Sequence, residues 1–237
     1  MHPPLSEATV PEATVRSQVS LPLRFLDGYQ TSARLITFDG LVDGREHIAI
    51  GLGGCAAEGA SDTAQVDVPL VRPHSECLTG DVLGSQLCDC GAQLREAVER
   101  IATVGGYLLY LRQEGRAIGL YAKLDAYLVQ QQQGLDTYAA NEALGFGADE
   151  RDYAVVAQML GALRCRRIAL LSNNPDKLRQ LRALGITVTE QVRTQVHLSP
   201  ANAGYLAAKA DRGHLLDLDE LAPVRRLGPS RTSVEQP

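Results

Sequence analysis

The sequence lacks tryptophan entirely, carries only 3 phenylalanines and 2 methionines, and has just 5 cysteines in 237 residues. No apolar run approaches the length needed to span a bilayer, which excludes a conventional transmembrane helix. The opening MHPPLSEATVPEATVRSQ lacks the basic-then-apolar order of a secretory signal, so the expected location is cytoplasmic. An odd number of cysteines, three of them clustered, is not a disulfide framework and suits a reducing compartment. Positive charge is also short: 23 Lys and Arg against 28 Asp and Glu give a formal net charge of −5. That balance argues against nucleic acid or an anionic membrane as partner, although a few local cations suffice for a small anion. No G-x4-GK[ST] stretch occurs, which excludes a P-loop.

What remains is an ordinary globular composition, with 45% hydrophobic and 22% charged residues, long enough for one full core. Residues 1–16, with the tandem EATV at Glu7–Val10 and Glu12–Val15, read as a disordered arm, and residues 221–237 as a disordered tail. Between them, 17–220 reads as one domain. QVSLPLRFL, SARLITFDGLV and EHIAIGLG are short β-branched runs separated by Gly and Asp, and predict antiparallel hairpins. QVDVPLVRPHSE predicts a further strand. QLREAVERIATV has helical spacing and stops at Gly105-Gly106, followed by a buried strand GYLLYLRQ. Helices are expected through AKLDAYLVQQQQ, TYAANEALG and ERDYAVVAQMLGALR, then the strand RRIALLS. Asn174-Pro175 opens the helix PDKLRQLRALG, since Asn caps well and Pro suits the first turn. ITVTEQV is a strand, and PANAGYLAAKADRGHLL mostly helical. The alternation predicts an α/β fold: a layered mixed β-sheet flanked by helices, with antiparallel N-terminal hairpins.

The chemistry concentrates in CLTGDVLGSQLCDCGAQ, where Cys77, Cys88 and Cys90 are spaced C-x10-C-x-C. Three thiolates suit Zn²⁺, at about 2.3 Å per Zn–S bond. Structural zinc sites are closed by four protein ligands, whereas catalytic sites leave one position for a water that becomes the nucleophile. No His or Cys lies nearby in a finger or ribbon spacing, so three ligands and one water is the economical reading. Two alternatives stay open: a site closed by His74 or Cys165, and three unmetallated cysteines beside a turn. Three thiolates make bound water less acidic than three imidazoles would, which calls for a separate base; Glu76 and Asp89 are the nearest carboxylates in sequence.

VRPHSECLTGDVLGSQLCDCGAQL, LLYLRQEGRAIGLYAKLDAY, GLDTYAANEALGFGADERDY and LLSNNPDK, in this order, resemble GTP cyclohydrolase II, the zinc enzyme that opens the guanine ring at the start of riboflavin synthesis. The likeness runs from about Val19 to Leu216. It implies hydrolysis of GTP with release of formate and pyrophosphate, leaving a diamino-pyrimidinone ribosylamine phosphate, and a homodimer. It also implies roles for individual positions. Cys77, Cys88 and Cys90 would ligate zinc. Tyr127 matches the active-site tyrosine, Asp149 a proton acceptor, and Arg151 the group proposed to attack the α-phosphorus. Arg72, Pro73, His74, Ser75, Glu76, Gln93, Glu114, Gly115, Arg116, Thr137, Ser172 and Lys177 would contact GTP, with Mg²⁺ on the triphosphate.

Physical weighing modifies some of these roles. A guanidinium with a pKa above about 12 is a poor nucleophile, so Arg151 makes better sense as an electrostatic clamp. Each Arg or Lys taken alone could be a solvated surface charge. Tyr127 could be a core aromatic, and Asp149 could merely cap a helix with Asp152. Several positions depart from the resembled pattern: Leu87 for the usual Arg, Ala117 for Gly or Asn, Ala122 for Asn, Ser172 for Thr, an extra Gln before Thr137, and Pro73 where an amide-bearing residue is normal. The stretch after Val192 also lacks the usual Val-Pro. None removes a metal ligand or catalytic candidate, and together they suggest a divergent member. The residues before Cys77 are too few for the dihydroxybutanone-phosphate-forming domain that is often fused ahead. Three rivals remain: a paralogue that stops at a formylated intermediate or takes another nucleotide, a non-catalytic nucleotide sensor, and a zinc-stabilised nucleic-acid binder.

Overall fold

The computed structural model describes residues 11–57, 66–147 and 149–216. Its seven strands form one sheet in the order β1-β2-β3-β5-β4-β6-β7. β1 (Thr14–Arg24), β2 (Gln30–Asp39) and β3 (Ile48–Leu52) run antiparallel, and β3 joins β5 (Gly106–Leu111) antiparallel. β4 (Leu70–Ser75), β6 (Arg167–Leu171) and β7 (Thr187–Val192) then continue in parallel with β5. The helices are α1 (Cys90–Val104), α2 (Leu120–Gln133), α3 (Thr137–Ala143), α4 (Ala154–Ala162), α5 (Pro175–Ala183) and α6 (Ala203–Asp211). The expected α/β mixed sheet with N-terminal hairpins is therefore what forms.

Strand alternation builds two apolar layers. Val71, Leu109, Leu111, Ile168 and Leu170 face α4 and α5, packing on Val155, Val156, Met159, Leu160 and Leu181. Their neighbours Leu70, Leu108 and Leu171 face the other way, onto Ala97, Val98 and Ile101 of α1. Period 2 in the strands and 3.6 in α1 thus meet the same interior. Gly106 lets β5 approach β4 closely, since a Cβ there would lie 2.0 Å from the Leu70 carbonyl oxygen.

Three boundaries differ from expectation. Thr14–Arg16, placed in a disordered arm, belong to β1, where Thr14 and Val15 pair with Asp39 and Phe38. Residues 1–10 and the tail 221–237 lie outside the described residues. The helix expected from Glu150 starts at Ala154, because the Glu150 amide donates to the Arg116 carbonyl and Asp152 Oδ1 accepts the Ala154 amide at 2.5 Å. The last helix stops at Asp211, before the left-handed Gly213.

What positions the site is a gap in the sheet. β4 and β6 pair only at Leu70↔Ala169 and Val71↔Leu170. Beyond these residues the two strands part, opening a crevice at the carboxyl ends of the parallel strands, where α/β sheets characteristically bind ligands.

Candidate active site

Three connections leave the strand ends and converge on that crevice. The one after β4 carries Cys77 and a single π-helical turn, Leu78–Val82, before reaching Cys88 and Cys90 at the start of α1. The Cys77 and Cys88 sulfurs are 3.7 Å apart, and all three lie within 4.8 Å of one another. Tetrahedral ligands with bonds of about 2.3 Å stand about 3.8 Å apart, so the donor set and spacing fit Zn²⁺. Gly80 forms the floor: a Cβ there would lie 2.7 Å from Cys88 Sγ and 3.2 Å from Cys77 Sγ. Hydrogen bonds from Cys88, then Cys90, hold Cys77 as the thiolate, while the same contact pushes Cys88 up to about 11. His74 and Cys165 do not close the site. The His74 ring bonds both Asp81 carboxylate oxygens at 3.1 Å, and Cys165 is buried in the α4-side core.

Buried charges fix the turn. Asp81 also accepts the Tyr110 hydroxyl at 2.9 Å and the Cys77 amide at 3.0 Å. Lys123 of α2 donates to Cys77 Sγ at 3.1 Å, Thr79 Oγ1 at 2.9 Å and Glu114 Oε1 at 2.8 Å; Glu114 Oε2 accepts the Leu78 amide at 2.6 Å. The carboxylates built into the cysteine turn are therefore Asp81 and Glu114, not those nearest in sequence. Glu76 pairs with Arg112 at 3.0 Å, and Asp89 turns away to Lys209 at 3.0 Å and to Gln93. Gln93 in turn accepts from Arg72 at 2.6 Å.

The connection after β5 is conformationally unusual. Gly115, Arg116 and Ala117 have φ of 62°, 61° and 75°, three consecutive left-handed residues of which only the first is glycine. Arg116 holds this loop by stacking 3.8 Å above the Tyr138 ring and donating to the Thr137 carbonyl.

The third connection, Ser172–Asn174, follows β6. Ser172 Oγ accepts the Asn174 amide, and Asn174 Oδ1 caps α5 through the Asp176 amide. Lys177 is buried, and its ammonium donates to the Pro73 carbonyl at 2.7 Å. The Leu70 and Glu76 amides point to β5, so alternation turns Pro73 to the β6 side, into the gap. Proline therefore costs no ladder hydrogen bond there. Burial, then the Arg151 and Arg72 charges, lower the Lys177 pKa well below the usual ammonium range.

Together these segments wall a cleft. Of the metal, catalytic and GTP-contact positions that the resemblance implied, all but two line it: Pro73 lies behind Lys177, and Asp149 lies behind Arg151, gripping its guanidinium in a bidentate pair. Asp149 does not cap α4 as one alternative had it. Tyr127 faces the cleft, and burial raises its pKa, keeping the phenol protonated. Among the described residues, buried Arg72 Nε has no hydrogen-bond partner. Sequence reasoning missed Lys123, Asp81, Tyr205, Lys209 and His214. The i, i+4 spacing of Lys123 with Tyr127 was the one available signal; α6 carried none, because its partners are remote in sequence.

A cysteine triad of metal-ligand type beside a cleft lined by basic side chains, at the switch point of a mixed sheet, suits the class of metal-assisted hydrolases that act on anionic substrates. Residues 16–193 match the family model GTP cyclohydrolase II. A protein of Aliivibrio salmonicida called GTP cyclohydrolase-2 is 50% identical over 188 residues, covering 79% of this chain and 90% of its own. Its namesake from Vibrio cholerae is 50% identical over 187 residues, 78% and 90% of the two chains. A riboflavin biosynthesis protein of Vibrio vulnificus is 45% identical over 208 residues, which cover 85% of this chain and 54% of that protein. The chain belongs to the GTP cyclohydrolase II family and is an enzyme of that type.

Proposed function

We propose that this enzyme hydrolyses GTP at two places, opening the imidazole ring with loss of formate and cutting the triphosphate with loss of pyrophosphate, to give 2,5-diamino-6-(5-phospho-ribosylamino)pyrimidin-4-one for riboflavin synthesis. The observation that carries this reading is the cysteine triad opening onto the same cleft as Arg72, Arg116, Arg151 and Lys177. Cys77, Cys88 and Cys90 would hold Zn²⁺, with Gly80 keeping the sulfurs together. Zinc, when bound, supplies a Lewis acid that makes water nucleophilic at neutral pH.

The chain's own groups do the rest. Lys123 fixes the Cys77 sulfur and holds Glu114 against the turn. Tyr127, protonated at neutral pH, is placed to give a proton or orient water at the ring-opening end. Burial opposes the Arg151 charge, but Tyr153 and then the Asp149 pair offset it, and the guanidinium pKa rises above its ordinary value. That favours an electrostatic clamp on the α-phosphate over a nucleophile. Arg72, Arg116, Ser172 and Lys177 would receive the phosphates with Mg²⁺, while His74, Ser75, Glu76, Gln93, Glu114, Gly115 and Thr137 shape the remainder of the GTP site. We place the enzyme in the cytoplasm as a homodimer, a role for which edge strand β1 offers exposed Val19 and Leu21. Neither nucleic acid nor membrane is a partner in this reading, and no described helix is long and apolar enough to cross a membrane.

The test is a mass-resolved product assay on zinc-loaded protein with GTP and Mg²⁺, following formate and pyrophosphate. Pyrimidinone with both by-products supports the proposal. A formyl-retaining product would mean that the reaction stops early, and unchanged GTP would favour another nucleotide or a sensor.

A further inference from the structure

The family match ends at residue 193, yet the cleft does not: Thr194, Tyr205, Lys209, His214 and Leu216 also line it. The segment that carries them has a small apolar centre of its own, Leu206 and Leu216 with Val196, Leu198 and Tyr205. It is joined to the sheet by polar ties. Asn173 and Thr194 bond reciprocally at 2.9 and 3.0 Å, the Leu215 amide donates to the Asn173 carbonyl at 2.8 Å, and Lys209 reaches Asp89 at 3.0 Å. Glu96 of α1 accepts the Gln195 amide and the His197 ring. The Asn173, Leu215 and Lys209 ties fall around Ser172–Asn174 and the start of α1, at the cleft, while Glu96 anchors the segment further along α1.

We infer that residues 194–216 close the cleft over the phosphate end of the substrate, and that His214 is a phosphate-binding residue there. The phosphate part of this inference rests on the function proposed above. His214 is half-buried, and among the described residues no side chain hydrogen-bonds its ring. Basic side chains from four different segments line the same cleft as His214: Lys209 of α6, Arg151 before α4, Lys177 of α5 and Arg116 after β5. Two of these basic groups are already paired, Arg151 with Asp149 and Lys209 with Asp89. An imidazole enclosed by cations is an energetic misfit until a polyanion arrives. Burial, then Lys209, Arg151, Lys177 and Arg116, push its pKa down to about 3, so in the free protein it is neutral. A polyphosphate reverses the sign of the surrounding field, and the ring takes up a proton and donates to a phosphate oxygen. Binding should thus draw up to one proton from the buffer.

The experiment uses the zinc-loaded full chain and its His214→Gln variant, titrated calorimetrically at pH 7 with inorganic tripolyphosphate in two buffers of different ionisation heat. Guanosine serves as the phosphate-free control, and GTP turnover is measured in parallel. Loss of a charge-assisted hydrogen bond should weaken tripolyphosphate binding about tenfold and remove the proton uptake, with guanosine affinity and melting temperature unchanged. KM for GTP should rise by a similar factor with little change in kcat. If the variant also weakens guanosine, or if tripolyphosphate affinity and proton uptake match the wild type, His214 is structural and the inference is overturned. Failure of the function is separately visible: a chain that leaves GTP intact but shows the tripolyphosphate effect loses the proposed reaction and keeps the anion subsite.

Discussion

Gly80 offers the sharpest test of the cysteine triad as a metal site. In Gly80→Ala the new methyl carbon would lie 2.7 Å from Cys88 Sγ, 3.1 Å from Cys90 Cβ and 3.2 Å from Cys77 Sγ. Comfortable separations begin near 3.5 Å, so the Cys88 sulfur must retreat by about 0.8 Å or the π-turn must bend. A metal tolerates ligand displacements of only about 0.2 Å before bonds weaken. Overpacking of this kind costs about 1–3 kcal/mol, equivalent to a loss of about fivefold to 150-fold in zinc affinity. The control is Gly204→Ala in α6, where a Cβ meets nothing within 4 Å. Zinc affinity would be measured by competition with a chromophoric chelator, and folding by thermal melts with and without EDTA. Gly80→Ala should bind zinc weakly, lose activity in proportion to vacancy, and recover part of it at high zinc. A variant that keeps wild-type zinc affinity would falsify the idea that the glycine exists to let three sulfurs converge.

Other perturbations follow from particular residues. Ala117 holds a left-handed φ of 75°, so Ala117→Gly should raise stability by about 0.5–1 kcal/mol, seen in denaturant unfolding, with the sign reversed if the loop is relaxed. Burial opposes ionisation of Glu96, but His197, Arg100 and the Gln195 amide together bring its pKa from 4.5 down to about 2. A depressed carboxyl pKa adds stability above the unfolded value, and that stability disappears as pH falls from about 4.5 towards 2. Glu96→Gln should therefore cost about 1–2 kcal/mol at pH 7, allowing for solvent near the group, and nearly nothing at pH 2; a pH-independent difference would count against the linkage. Tyr127→Phe should leave zinc content intact while kcat falls about a hundredfold, and retained formyl in the product would assign the phenol to the second hydrolytic step.

Much of this was readable in the sequence because it was local. The C-x10-C-x-C spacing, the Asn174-Pro175 helix start and the alternation of β5 each follow from neighbouring residues. Boundaries slipped where side chains outside the local pattern took over. Asp152 and the Arg116 carbonyl delay α4 by a turn, and Thr14 and Val15 of the second EATV copy are strand because β2 supplies their partners. The environment of the triad was less legible. Glu76 and Asp89 looked closest along the chain, but Arg112 and Lys209 claim them, while Asp81, inside the turn, is fixed by the His74 ring and the Tyr110 hydroxyl, and Glu114 by the Lys123 ammonium, all from other elements. Pro73 looked like a lost donor near the metal, and the parting of β4 from β6 leaves that donor nothing to bond.

The contact between Lys177 and the Pro73 carbonyl has a further meaning for anyone wishing to alter this enzyme. Where β6 has turned away, a side chain completes the rung that a strand would have made, and the same ammonium faces the cleft. Scaffold and pocket share one nitrogen. A change at Lys177 intended to retune phosphate preference would also loosen β4, and with it the start of the cysteine turn. Redesign of anion selectivity is better begun at Arg116, which is secured through its aromatic neighbour and leaves the sheet alone.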